Sequence, residues 1–419
     1  MSNKIKQTLP PMPSSKKLGL EKLKKGDGFF LFGGIWLLYF VLSPFYVFQS
    51  GLPQPADIII FGGILVFLAI GKMYYSRHVA SVYVFGLIFV GLTAAINLIH
   101  FHFIADVKFI MHSLFYAFNF GIFFYVVNLF AREPVRMNRY TYIALSAIIL
   151  IQFIAVQFFP DNDDFRASGT FNKSNQLAYW CVLSASLLLI LKRNKKINFV
   201  DIALFTILTY MQMLSLSKAG IVVFFVLFII FLAAPQMPKT YRVFLVFIIS
   251  LLIISNLSNA KRIFEALNRV ETIEAVSQRL NTIGKQSDDT PEARGYLRLV
   301  KHPEYLFVGA GEGAYWRFGR QELHSGIATL IFSYSIFGFS VFLLFLGNIF
   351  FKLPWYYTAM LVPIFLYGLT HQNIRFSYFW VFLACAYSGH FYAVKERVAS
   401  IAENKLSLIT RPAREVSNG

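Results

Sequence analysis

The sequence predicts an all-α polytopic membrane protein with about 12 transmembrane helices, both termini cytoplasmic, and one large periplasmic loop carrying helices between spans 9 and 10. Three observations predict it. The chain of 419 residues is 57% hydrophobic and only 14% charged, with a mean hydropathy of +0.57, more apolar surface than a water-soluble fold of this length can hide. Its apolar residues gather into runs of about 20, the length that crosses a bilayer core as a helix. Its basic residues stand just beyond those runs, where orientation signals sit.

Taken in order, the runs are 28–48, 56–75, 79–100, 108–131, 140–159, 174–192, 198–215, 219–235, 241–258, 325–350, 354–370 and 374–394. Residues 1–27 form a polar, basic N-terminal tail and 395–419 a polar C-terminal tail. Alternate links carry the cations: Lys72 and Arg77, then Arg132, Arg136 and Arg139, then Lys192, Arg193, Lys195 and Lys196, then Lys239 and Arg242, then Lys352. The links between them hold few, and the one near Asp161, Asp163 and Asp164 is acidic. The positive-inside rule makes the basic side cytoplasmic and places the long segment 259–323 outside. A formal charge of +18, from 39 Lys and Arg against 21 Asp and Glu, is thereby explained by topology, and nucleic acid is rejected as a partner. Cys181 and Cys385 both lie inside apolar runs, which argues against a disulfide framework or a cysteine metal site.

The outer loop has its own pattern. Ile263, Leu267, Val270, Ile273, Val276, Leu280 and Ile283 recur at helical spacing, an amphipathic helix lying on the membrane or on the bundle. Thr290 and Pro291 then read as the N-cap and first residue of a second helix, which Pro303 ends near His302. On that helix Arg294, Arg298 and Lys301 share a face. Such a face can grip a diphosphate, although a solvated or headgroup-facing stripe is the simpler reading of the spacing alone. Gly309-Ala310-Gly311-Glu312-Gly313 follows, where glycines permit close backbone approach or unusual dihedrals. His324-Ser325 opens the tenth span at the outer interface, placed to act as a base or to hydrogen-bond a ligand.

Three further features share that side. Arg166 to Gln176 is dense in amide and cationic donors, including Asn172 and Asn175, and leads into a helix start at Ser174 or Asn175, where anions are attracted. Lys218 stands in the tight Ser215–Gly220 link, paired, lining a cavity or snorkelling to headgroups. His100 and His102 form an HxH without a matching carboxylate cluster, a poor metal site; His112 and His371 read as satisfied polar residues.

In this order, the motifs Arg166–Gln176, Ser217-Lys218, Arg294, Pro303 with Gly309-Ala310-Gly311, and His324-Ser325 with Gly338 resemble those of the O-antigen ligase/polymerase superfamily of bacterial envelope glycosyltransferases. The resemblance covers roughly residues 160 to 345. Ser174 stands where the family pattern has Pro, Lys218 where it has Arg, and Ser335 where a glycine is common. The resemblance implies a multi-pass protein of the bacterial inner membrane with a periplasmic active face. It implies glycosyl transfer from an undecaprenyl-diphosphate-linked glycan, with no cofactor, nucleotide sugar or essential metal. The acceptor would be a second lipid-linked glycan, as in a repeat-unit polymerase, or lipid A-core, as in a ligase; a chain-length regulator would be a further partner. His324 and Arg294 would then be catalytic, and Arg166, Asn172, Asn175, Lys218, Arg298, Gly309 and Gly311 would hold diphosphate or glycan. A lipid-linked glycan transporter is the contrasting expectation, and should carry broken helices near the midplane.

Overall fold

The computed structural model describes residues 29–49, 51–71, 73–74, 76–158, 166–193, 195–247, 250, 290, 294–319, 322–351 and 353–391. Eight apolar helices come first: α1 (Phe29–Leu42), α2 (Pro55–Ile70), α3 (Arg77–Ile104), α4 (Lys108–Arg132), α5 (Pro134–Phe158), α6 (Ser174–Leu191), α7 (Phe199–Leu214) and α8 (Lys218–Ala233). Residues 239–247 are helical as well. Two short helices, α9 (Leu297–Lys301) and α10 (Tyr305–Val308), and a 3-10 turn (Tyr315–Phe318) precede α11 (Gly326–Phe350), α12 (Trp355–Ala359), α13 (Leu361–Gly368) and α14 (Ser377–Tyr387). No strand occurs among the described residues.

Five of these helices, α3 to α6 and α11, are long and apolar enough to cross a membrane; α1, α2, α7 and α8 are apolar but shorter. The expected span 354–370 divides into α12 and α13 at Met360. The amphipathic helix expected over 263–283 lies outside the described residues.

Packing explains the order of the helices. α3 packs on α4 and α11, α14 on α4 and α6, and α6 on α7 and α8. The centre of the bundle is α6 and α14, both buried along nearly their whole length, with Trp180, Tyr378 and Trp380 among the side chains enclosed there. Outward faces of α2, α3, α5 and α8 leave large apolar side chains uncovered, including Phe61, Leu87, Ile154 and Phe225, as a lipid-facing belt requires. One end of the bundle carries the links around Lys192 and Gln236. There Lys192 pairs with the fully buried Asp201 at 2.9 Å, and Gln236 lies beside Tyr356 and the Arg193 carbonyl. The candidate site lies at the other end.

One spanning helix is broken. Ser335, inside α11, has φ 65 and ψ 168, a region that only glycine enters readily. The break leaves the Phe332 and Ser333 carbonyls open, and the N–H groups of Ala310 and Gly311 donate to them, each at 2.9 Å. The Ser335 hydroxyl accepts from the Phe337 N–H at 3.2 Å, restarting the helix. Backbone polarity that lipid could not satisfy is therefore met from the loop.

Candidate functional site

Two clusters of polar side chains occupy this end. The first gathers residues from four separated stretches around Tyr367. Arg166 donates to the Ser215 carbonyl at 3.2 Å and to the Asn175 side chain at 2.8 Å, which ties the link before α6 to the α7–α8 turn. The Tyr367 hydroxyl donates to the Asn175 carbonyl at 2.7 Å. Ser217 hydrogen-bonds the same hydroxyl, and both Arg166 and Arg294 act on it electrostatically. Ser217 also caps α8, accepting from the Gly220 N–H at 3.3 Å, so Lys218 is the first residue of a 16-residue helix whose positive end faces this cluster. Arg294 donates to the Thr370 carbonyl at 2.5 Å, and the His324 N–H donates to the Arg294 carbonyl at 3.2 Å. The ring of His371 stacks on Tyr367, with centroids 4.6 Å apart.

The second cluster lies between residues 309–319 and 322 of the loop and the start of α14. Glu312, 1% exposed, receives the Tyr334 hydroxyl on Oε2 at 2.8 Å, and its own N–H donates to Asn97 at 2.8 Å. Its Oε1 accepts no hydrogen bond and has Arg375 at 3.3 Å as its charge partner, while Arg375 also donates to His112 Nδ1 at 3.1 Å. Arg375 also pairs with Glu322, and His112 bonds the Tyr315 hydroxyl at 3.0 Å. Burial pushes the Glu322 carboxyl up, but Arg375, helped by His112 and His324, outweighs it and holds the group below its ordinary 4.5. A small pocket beside this network is lined by Arg298, Glu312, Tyr315, Glu322, Phe332 and Gln372, among others.

Arg166, Asn175, Lys218, Arg294 and His324 thus share one end of the bundle, the first four around Tyr367 and Ser217. Asn172 is held apart, donating to the Phe48 carbonyl at 2.7 Å. One expectation is corrected. Arg294, Arg298 and Lys301 do not share a helical face: Gly295, at φ 79, separates Arg294 from α9, because a left-handed residue ends helical geometry. Arg298 is buried in the second cluster, stacked on Phe318 and Phe332 and donating to the Phe318 carbonyl at 3.3 Å. α6 starts at Ser174, as expected, with Lys173 before it making no side-chain cap, and the Asn175 side chain accepts from Arg166.

Gly309 and Gly311, both at positive φ, seat the loop on the helices. A Cβ on Gly309 would come within 2.7 Å of the Ser333 carbonyl oxygen, and one on Gly311 within 2.7 Å of the Phe109 ring. Their expected phosphate role would have to be met with the Gly311 N–H already engaged. Sequence reasoning passed over Arg375, Glu312, Glu322 and Tyr315. The available signals were a glutamate among glycines and an arginine at the second residue of the apolar run 374–394, where an unpaired charge is costly.

Comparison with family models and with curated proteins gave no match to this chain.

Proposed function

We propose that this protein is a glycosyltransferase that moves a glycan from undecaprenyl diphosphate to an acceptor hydroxyl at the periplasmic face of the bacterial inner membrane, polymerising lipid-linked repeat units. The observation that carries the reading is the convergence of Arg166, Arg294 and the Ser217-Lys218 start of α8 on Tyr367. A polyprenyl diphosphate needs an apolar surround for its tail and fixed cations for its phosphates, and two guanidiniums, an ammonium and a helix N-terminus supply that charge.

In the reaction, the bond from the anomeric carbon to the diphosphate oxygen breaks and a bond to the acceptor oxygen forms. Arg166, Arg294 and Lys218 stabilise the charge on the departing diphosphate, which lessens the need for a strong general acid. His324, exposed beside Arg294, takes the acceptor proton. Lys218 contributes a point charge where an arginine would bind phosphate bidentately. The motif order from Arg166 to Gly338 supports the same assignment.

Within this chemistry, lipid A-core is the alternative acceptor, making the protein a ligase. A transporter of lipid-linked glycans is favoured by one feature, the break in α11 at Ser335. The carbonyls it frees are taken up by Ala310 and Gly311, however, and the cations lie near helix ends, which favours transfer.

The test is the glycan profile of cells carrying Arg294→Ala or His324→Ala. Both variants should abolish long-chain glycan while protein persists in the membrane; normal chain-length ladders in both would overturn the assignment. In a deletion strain, single repeat units on lipid A-core identify a lost polymerase. Long undecaprenyl-linked chains beside bare lipid A-core identify a lost ligase.

A further inference from the structure

The loop before α11 is seated far inside the bundle, not on top of it. His100 Nε2 lies 2.9 Å from the Gly309 carbonyl oxygen, and a Cβ on Gly309 would meet the Ile96 side chain at 3.2 Å. Ile96 is eight residues before the end of α3 at Ile104, a depth of about 12 Å at the helical rise. The apolar stretch Val79–Ile104 has 26 residues and is about 39 Å long, against a hydrocarbon core of about 30 Å. A core of about 30 Å reckoned from Val79 would end about 9 Å before Ile104. On that reckoning Gly309, level with Ile96, would lie about 3 Å inside the edge of the hydrocarbon. The hydrogen bonds of Ala310 and Gly311 to Phe332 and Ser333 agree, because Ser333 is seven residues, about 10 Å, into α11.

The residues just before Gly309 point outward and are apolar. Phe307 is 67% exposed and Val308 65%. α10 adjoins α3 through Tyr305, whose ring lies 6.4 Å from that of His100, and Ile99 and Phe103, at helical spacing from Ile96 and His100 on α3, are uncovered too, so apolar surface is present on both elements at this seam. Higher up, Ala314 N–H bonds Asp106 at 2.7 Å in the α3–α4 link, and the exposed Trp316 stands two residues on, at the level where tryptophan favours the headgroup boundary.

We propose that residues 305–311 form a re-entrant segment whose Phe307 and Val308 lie among the acyl chains of the lipid leaflet at the site end, with Trp316 at its headgroup boundary. The apolar surface on both α3 and α10 at this seam, and its depth, identify lipid as the occupant. The inference rests on embedding in a bilayer and does not depend on the transferase reading.

Cysteines placed singly at 307, 308, 316 and 301 and spin-labelled in reconstituted bilayers test it. Cys181 and Cys385 are fully buried and leave no reactive background in the folded protein. Labels at 307 and 308 should favour collision with oxygen over a water-soluble nickel chelate several-fold more than the label at the exposed Lys301, and should lie deeper than the label at 316. Two results overturn the proposal. Equal nickel access at 307, 308 and 301 would mean a water-facing loop. Exclusion of both reagents at 307 and 308 would mean that protein, such as residues 259–289 of the same chain or a second copy, covers the surface.

Discussion

Replacing Arg375 with methionine should destabilise the protein by about 3–5 kcal/mol, the cost of stranding a buried charge. The figure follows from the partners left behind. Glu312 is almost wholly enclosed, and Arg375 is the guanidinium beside its unbonded oxygen. Glu322, which also loses Arg375, is a third exposed and contributes at most about 1 kcal/mol after solvent screening. Glu312→Gln keeps an acceptor for the Tyr334 hydroxyl and removes the charge, so the double variant Glu312→Gln/Arg375→Met should regain most of the loss. The assay is a double-mutant cycle on detergent-solubilised protein, read by denaturant or thermal unfolding through tryptophan fluorescence and by protease resistance. An Arg375→Met variant within about 1 kcal/mol of wild type, well short of the stranded-charge cost, would refute the reasoning. So would a double variant no more stable than the single one.

Ser335 should respond with opposite signs to two small substitutions. Ser335→Gly relieves a backbone strain of about 1–3 kcal/mol and loses only a few tenths for the cap, so its melting temperature should rise. Ser335→Ala keeps the strain, loses the hydroxyl that accepts from Phe337, and should melt below wild type. Glu322 sets a pH dependence: its carboxyl is held below 4.5, so its contribution to stability is present above that value and is lost as pH falls through the lower folded value. Wild type should therefore lose stability below pH 4.5 more steeply than Glu322→Gln, in unfolding curves collected from pH 7 to 3. At the candidate transfer site, Lys218→Ala should reduce long-chain glycan about 10-fold or more, the worth of a charge-assisted contact, while Lys218→Arg retains it on the same gels.

Much of the fold was legible in the sequence because lipid imposes a one-dimensional rule: each spanning helix must satisfy its backbone internally and show an apolar surface. The runs at 108–131, 174–192 and 325–350 therefore coincide with α4, α6 and α11 to within a residue or two. The stop at His302 was readable from local chemistry, a following proline. The shared end of Arg166, Lys218, Arg294 and His324 was readable from the alternation of the links.

The split of Arg294 from Arg298 was not legible, because the helical pattern continues through Gly295 and only its left-handed conformation breaks it. Nor was the Glu312–Arg375 network, since contact between a loop glutamate and an arginine before the last helix leaves no local periodicity. The sequence by itself determined a helical membrane protein, the approximate extent of its long helices and the basic and polar residues at their ends. These follow from hydrophobicity and charge, which act residue by residue. Only the tertiary structure decided that Arg166 and Arg294 meet at Tyr367, that Glu312 is buried against Arg375, and that the Gly309 loop fills the break in α11 at Ser335. Those outcomes depend on which helices pack together and on which freed backbone groups find partners in the folded chain.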